Sequence, residues 1–174
     1  KQYTSEFVIG SFGKRSNLDV KMKRDFTQKD APFLGVKAHY KGAFPEDTVG
    51  LHNFVGGYCG ISKVETNLVN VCYIADFKSF KQYKNIDDFQ KKVLSQNKYL
   101  KEVFDTYEIA FEKPLAISQV SFLEKEPVEN HILMCGDSAG MIHPLAGNGM
   151  SMAIRAAQMA SEQILKFKSG EINS

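Results

Sequence analysis

The chain has no tryptophan, only three cysteines and five prolines, and almost no imbalance of charge. Each scarcity excludes something. Cys59, Cys72 and Cys135 are odd in number and lack metal-type spacing, so neither a disulfide framework nor a cysteine-bound metal is expected. They read as buried thiols of a reducing compartment. His39, His52, His131 and His143 share no short ligand spacing, and no metal site is expected. A net charge of +2 over 174 residues gives no electrostatic reason to invoke nucleic acid. No apolar run approaches the roughly 20 residues that span a bilayer. No signal peptide is visible, and the first residue is Lys1 rather than Met, which reads as a processed chain or a piece of something longer. A cytoplasmic location is expected, with peripheral membrane contact left open.

What is present is globular: 43% hydrophobic and 24% charged residues, enough for one good core or two small lobes. The middle of the chain reads as strands. Residues 33–40 place Leu34, Val36, Ala38 and Tyr40 on one face and Lys37 and His39 on the other. Residues 48–55 alternate Val49, Leu51 and Asn53 against His52 and Phe54, 56–62 read as a further strand, and 68–75 are nearly all apolar. A polar turn is expected at Glu65-Thr66-Asn67, and another strand over 115–122. Two amphipathic helices are expected over 86–94 and 99–107, burying Phe89 and Val93 in the first and Leu100, Val103, Phe104 and Tyr107 in the second. These strands suggest an antiparallel, curved sheet with one face free to cover a ligand. Residues 17–32 are polar and charged and read as a loop with room for a helical turn, and Phe7-Val8-Ile9 as a short strand ahead of it.

The stretch 131–167 carries the most information. A short apolar strand, 132–135, ends at Gly136-Asp137; a Gly- and Pro-containing loop follows, then a helix from about Asn148. Ser151, Arg155, Gln158, Glu162 and Lys166 form its expected wet stripe, with Glu162 and Lys166 placed to pair. Met150, Ile154, Ala157, Ile164 and Phe167 form its expected buried stripe. Ala153, Ala156, Ala157 and Ala160 allow close packing, and Gly170 is a stop signal. Asp137 falls at the carboxyl end of a buried strand, where open α/β sheets bind ligands. Gly140, Gly147 and Gly149 leave backbone uncovered, and Asn148 is a competent N-cap at a helix start that favours negative charge. A carboxylate for hydroxyls and a helix start for an anionic end make a cofactor cradle.

The run Gly136-Asp137-Ser138-Ala139-Gly140, followed by His143-Pro144-Leu145-Ala146-Gly147-Asn148-Gly149-Met150, closely resembles the second flavin-binding motif of FAD-dependent monooxygenases and reductases. That group includes p-hydroxybenzoate hydroxylase, geranylgeranyl reductases and flavin-dependent halogenases. The resemblance implies that Asp137 binds the ribityl or ribose hydroxyls of FAD. It implies that Pro144 to Met150 runs along the isoalloxazine, with the amides near Asn148 and Gly149 facing its pyrimidine edge. Gly136, Gly140, Gly147 and Met150 complete the expected FAD-binding set.

The resemblance also implies a division of the chain. Residues 1–30 and 128–174 would form part of an FAD-binding domain with a strand–loop–helix remnant of a Rossmann-like fold. Residues 31–127 would form the substrate-binding domain, making the whole α+β. Near Gly10 to Ser16 the group carries an Asp-Gly pair and a Ser; Gly13 and Ser16 fit, but Phe12 stands where the Asp would be, which puts direct nicotinamide use in doubt. Lys14 and Arg15 supply either phosphate contacts or a solvated basic turn. The pyrophosphate-binding Gly-x-Gly-x-x-Gly turn is absent, so a missing N-terminal FAD-binding segment is the expected partner, and FAD binding by these residues alone is expected to be weak.

Gly56 to Lys63 lies where relatives carry signature motifs. Tryptophan halogenases use two Trp residues there, which disfavours halogenation, whereas archaeal-type geranylgeranyl reductases carry a Tyr-Trp-Phe-Pro pattern of which this chain has Tyr58 but not the Trp, Phe or Pro, a partial likeness. Tyr58, Cys59 and His52 are the candidate substrate residues for a small apolar or aromatic molecule. Tyr58 reads equally as a core aromatic and Cys59 as a small apolar filler. No catalytic side chain is expected, since the flavin carries the chemistry. The expected function is a geranylgeranyl reductase-like FAD oxidoreductase. A flavin monooxygenase and a non-enzymatic module for an apolar ligand are the alternatives.

Overall fold

Alternation of apolar and polar residues produces the strands where it is strict. In the computed structural model, residues 2–173 are described; Lys1 and Ser174, the ends of the expected flavin-binding portion, lie outside them. In chain order the elements are β1 (Ile9–Gly10), α1 (Asn17–Lys21), β2 (Phe33–Lys41), β3 (Val49–Phe54), β4 (Gly57–Lys63), β5 (Val69–Asp76), α2 (Phe77–Phe80), α3 (Ile86–Lys92), α4 (Lys98–Thr106), β6 (Glu108–Ile109), β7 (Leu115–Val120), β8 (Val128–Glu129), β9 (Ile132–Met134) and α5 (Gly149–Lys168). They form two units. One is continuous, Ala31–Val120; the other joins the segment up to Asp30 with that from Ser121, so its start falls before the 128 expected from sequence.

The continuous unit is an antiparallel sheet in the order β3-β4-β5-β2-β6, with β7 also pairing with β2. One face carries Leu34, Val36, Ala38, Tyr40, Cys59, Ile61, Val69, Val71, Tyr73 and Ala75, all buried. Against this face pack Phe89, Val93, Leu94, Leu100 and Val103 from α3, α4 and the turn between them. Phe89 is the hub. Its ring meets Phe54, Tyr73, Phe80 and Tyr83 with centroids 5.3–6.3 Å away, mostly edge to face. The helices start where Asn85 and Asn97 accept hydrogen bonds from first-turn amides. Between β4 and β5 the backbones approach so closely at Gly57 that a Cβ would run into the carbonyl oxygen of Ile74. At the other end Asn67 takes the left-handed conformation expected of the polar turn.

The second unit has little sheet. β1 pairs parallel with β9, and β8 pairs antiparallel with β9. The first strand is Ile9–Gly10 rather than 7–9, because Leu133 and Cys135 take their backbone partners from Val8 and Gly10. Asn130 and His131 both adopt positive φ in the two-residue β8–β9 turn, the geometry of a type I′ hairpin. The expected loop at 17–32 contains α1 and a 3₁₀ turn, Asp25–Gln28. Ser16 and Asp19 close a capping box around the start of α1, which is why this polar run is helical.

Helix α5 corrects the sequence reading of its faces. Met150 is 82% exposed and Ile154 71%, and Ala157 and Phe167 are exposed as well. The half-buried positions are Gly149, Ala153, Ala156, Ala160 and Ile164. The helix therefore docks through small side chains, with Ala153 lying 3.4 Å from where a Cβ on Gly136 would sit. Glu162 accepts from Gln158 instead of pairing with Lys166. Gly170 ends the helix as expected: it is left-handed, and Glu171 N–H reaches back to the Lys166 carbonyl.

Candidate functional site

The parallel pair β1–β9 brings two turns side by side within the second unit. Ser138, fully buried, accepts from Gly13 N–H at 3.0 Å and donates to the Gly13 carbonyl at 3.3 Å. Lys125 Nζ donates to the carbonyls of Lys14 at 2.7 Å and Asp137 at 2.6 Å, with its charge 4.3 Å from the centre of the Phe26 ring. Burial holds the Lys125 ammonium below the ordinary lysine range; Asp19 and Asp137 oppose that shift, while Arg24 and Lys14 add to it.

Beneath the turns lies Arg24, 1% exposed. Its Nε donates to Glu129 at 2.5 Å and its Nη1 to Asp19 at 3.0 Å and to the Ser138 carbonyl at 2.9 Å. Its Nη2 donates to the Glu126 carbonyl at 2.8 Å. Removing such a cation and its fully buried partner Asp19 from water is costly, and these four bonds offset the cost. The arrangement fixes the Gly136–Ser138 turn from below.

Two cavities open beside that turn. One, about 460 Å³, is bordered by Phe122 and Lys125 together with Gly136, Asp137, Gly140, Gly149 and Met152. The other, about 500 Å³, is bordered by Ser11, Gly13, Gly136, Asp137, Gly149 and Met150. Asp137 is half-buried and borders both, and its carboxylate accepts no hydrogen bond among the described residues. Asn148 occupies the cap position of α5 but its side chain caps nothing, contrary to expectation, because its backbone is not extended there (φ −103°, ψ 3°). The start of this 20-residue helix thus keeps its amides unserved by a side chain, with roughly half a positive charge from its dipole. Around it, a Cβ on Gly13, Gly140 or Gly147 would meet no atom within 4 Å.

Of the expected cofactor residues, Gly136, Asp137, Gly140, Gly149 and Met150 border these cavities. Pro144, Gly147 and Asn148 border neither and lie exposed in and after a 3₁₀ turn, Pro144–Ala146, whose first amide is capped by His143 Nδ1 at 3.3 Å. The expected substrate residues are not brought together as a group. Successive strand residues face opposite sides, so Tyr58 lies on the face away from the helices while Cys59 is sealed beneath them. His52, the register partner of Cys59, shares that side and sits against the Tyr99 ring at 5.4 Å. Burial raises the Tyr58 hydroxyl and Cys59 thiol pKa values and lowers that of His52.

Sequence reasoning missed Asp19, Arg24, Lys125, Ser138 and Glu129. Two of these left a signal: Asp19, as the fourth residue of the Ser16–Asp19 capping box, and Ser138, inside the Gly136–Gly140 run but not read as a site residue.

No family model matches the chain. Solved structures do. The flavin-dependent halogenase CmlS superposes with a TM-score of 0.75 at 17% identity, over 95% of this chain and 32% of its own length. The flavin-dependent brominase Bmp2, as a triple mutant, gives 0.74 at 18%, over 98% and 45%. PqsL of Pseudomonas aeruginosa, a probable FAD-dependent monooxygenase, gives 0.61 at 16%, over 94% and 47%. The fold is that of the flavin-dependent halogenases and FAD-dependent monooxygenases. Within this halogenase–monooxygenase fold the chain spans less than half the length of each of these three structures. No described helix is long and apolar enough to cross a membrane.

Proposed function

We propose that this chain is the C-terminal part of an FAD-dependent oxidoreductase, contributing the substrate-facing sheet and the last flavin-contacting strand, turn and helix. The observation that carries this is Asp137: a half-buried carboxylate with unused acceptor capacity, beside an uncapped helix start and between two cavities. The donor set fits FAD. A carboxylate accepts from sugar-chain hydroxyls, and free helix amides suit an electron-rich ring edge. The open space at Gly13, Gly140 and Gly147 is what a flat ligand needs near backbone. When bound, FAD supplies the redox chemistry; Gly136, Asp137, Gly140, Pro144, Gly147, Asn148, Gly149 and Met150 of this chain hold and orient it.

The exposed apolar stripe Met150, Ile154 and Leu165 of α5 supports a covering segment, the N-terminal part of the flavin-binding domain, as partner. On the sheet face away from the helices, Tyr58 shares its side with exposed Leu51, Cys72 and Ile117, which suits a small apolar or aromatic substrate. That face and the partial Tyr58 signature favour a reductase of the geranylgeranyl type. The PqsL likeness favours hydroxylation as the second reading.

The test uses the full-length protein. It should purify yellow, bleach with dithionite and lose flavin on Asp137→Ala. A colourless protein that takes up no FAD would instead indicate a binding module. Oxygen uptake in step with product identifies a hydroxylase; product formed anaerobically identifies a reductase. Halide incorporation is measured alongside, although the missing Trp pair weighs against it.

A further inference from the structure

Asp137 has no side-chain bond to aim its carboxylate among the described residues, so its direction depends on its backbone, and the side chain bonded to its own carbonyl is that of Lys125. We propose that Lys125 is the positioning residue for Asp137, and that it does so for the hydroxylated chain of FAD; this rests on the flavin reading above. Lys125 Nζ is pinned on three sides. It donates to the Asp137 carbonyl and to the Lys14 carbonyl on the neighbouring turn, and the Phe26 ring covers it. Lys125 and Asp137 border the same 460 Å³ cavity. Arg24, a second cation in this region, does not substitute, because it grips the Ser138 carbonyl one residue on. The charged groups that face Lys125 are Asp19, Arg24, Asp137 and Lys14, and Asp137 is the carboxylate its charge would steady as ligand hydroxyls replace water. Nothing in this assignment requires Lys125 to touch the ring system.

The test is a double-mutant cycle on the full-length protein, read by flavin fluorescence. FAD is compared with lumiflavin, which keeps the ring and lacks the hydroxylated chain. Lys125→Met should weaken FAD by about tenfold or more, as loss of a charge-assisted bond does, and leave lumiflavin unchanged. In an Asp137→Ala background it should add nothing, because the residue acts through Asp137. Additive effects, or equal losses for both flavins, overturn the proposal. A wild-type protein that binds neither flavin overturns the flavin reading itself, a separate result. If Lys125→Met does not fold, Lys125→Gln, which removes the charge and shortens the side chain but keeps a neutral amide, is read the same way; if neither folds, Lys125 is needed for the fold and the assignment fails.

Discussion

The unit Ala31–Val120 buries rings and branched aliphatics under two helices, whereas the unit around α5 is centred on a guanidinium with two carboxylates and leaves its longest helix without one fully buried residue. The first kind of core is non-directional: many contacts share the load, and register follows from alternation. The second is directional. Four bonds from Arg24 tie α1, β8, the Glu126 segment and the Gly136–Ser138 turn together, so it tolerates little substitution but places that turn in one geometry. A binding turn needs placement more than it needs bulk, which is where this chain puts its charged core.

The two largest expected effects are similar in size and opposite in origin. Phe89→Ala should cost about 3–5 kcal/mol by opening a cavity, with loss of hydrogen-exchange protection confined to β2–β5. Arg24→Met should also cost about 3–5 kcal/mol, because Asp19 stays buried without its partner, and the lost protection should fall on β8 and β9. Adding Asp19→Leu to Arg24→Met should recover much of it; no recovery would break the contrast between the units. Next comes Asp137→Ala in the full-length protein, expected to weaken FAD by roughly ten- to a hundredfold with little change in melting temperature. His131→Gly should stabilise by about 1 kcal/mol, since φ of 62° suits glycine better than histidine. An unchanged midpoint in urea would argue against strain there.

The smallest effect is a pH slope. Burial lowers the His52 pKa, so near and below the ordinary histidine value the unfolded chain holds more protons than the folded one. Stability of the continuous unit should therefore rise with pH up to that value, and His52→Gln should flatten the rise, measured as urea midpoints between about pH 5 and 7.

The continuous unit was legible because its physics is periodic. Leu34, Val36, Ala38 and Tyr40 alternate, and Phe89 with Val93 and Leu100 with Val103 repeat at helical spacing. Gly136-Asp137 and the helix after it were legible as a motif. The packing face of α5 was not, because weighing side chains by hydrophobicity selects Met150 and Ile154, while close approach selects Ala153, Ala156 and Ala160. The Arg24 group was invisible for a different reason: it joins Asp19 and Arg24 to Glu126, Glu129 and Ser138 across more than a hundred residues, and polar residues carry no period. Tyr58 and Cys59, both candidate substrate residues, part onto opposite faces because neighbours in a strand point to opposite sides.

One pairing described above bears on assembly. Phe33 and Val120 are register partners in β2 and β7, so the inserted sheet brings its own first and last residues together as it forms. Once it has folded, the roughly 90 residues between the halves of the other unit behave as a short staple. The chain-closure entropy of a free loop that long, on the order of 4 kcal/mol, is then already covered. A sheet that folded first would spare the charged core around Arg24 the cost of closing that loop.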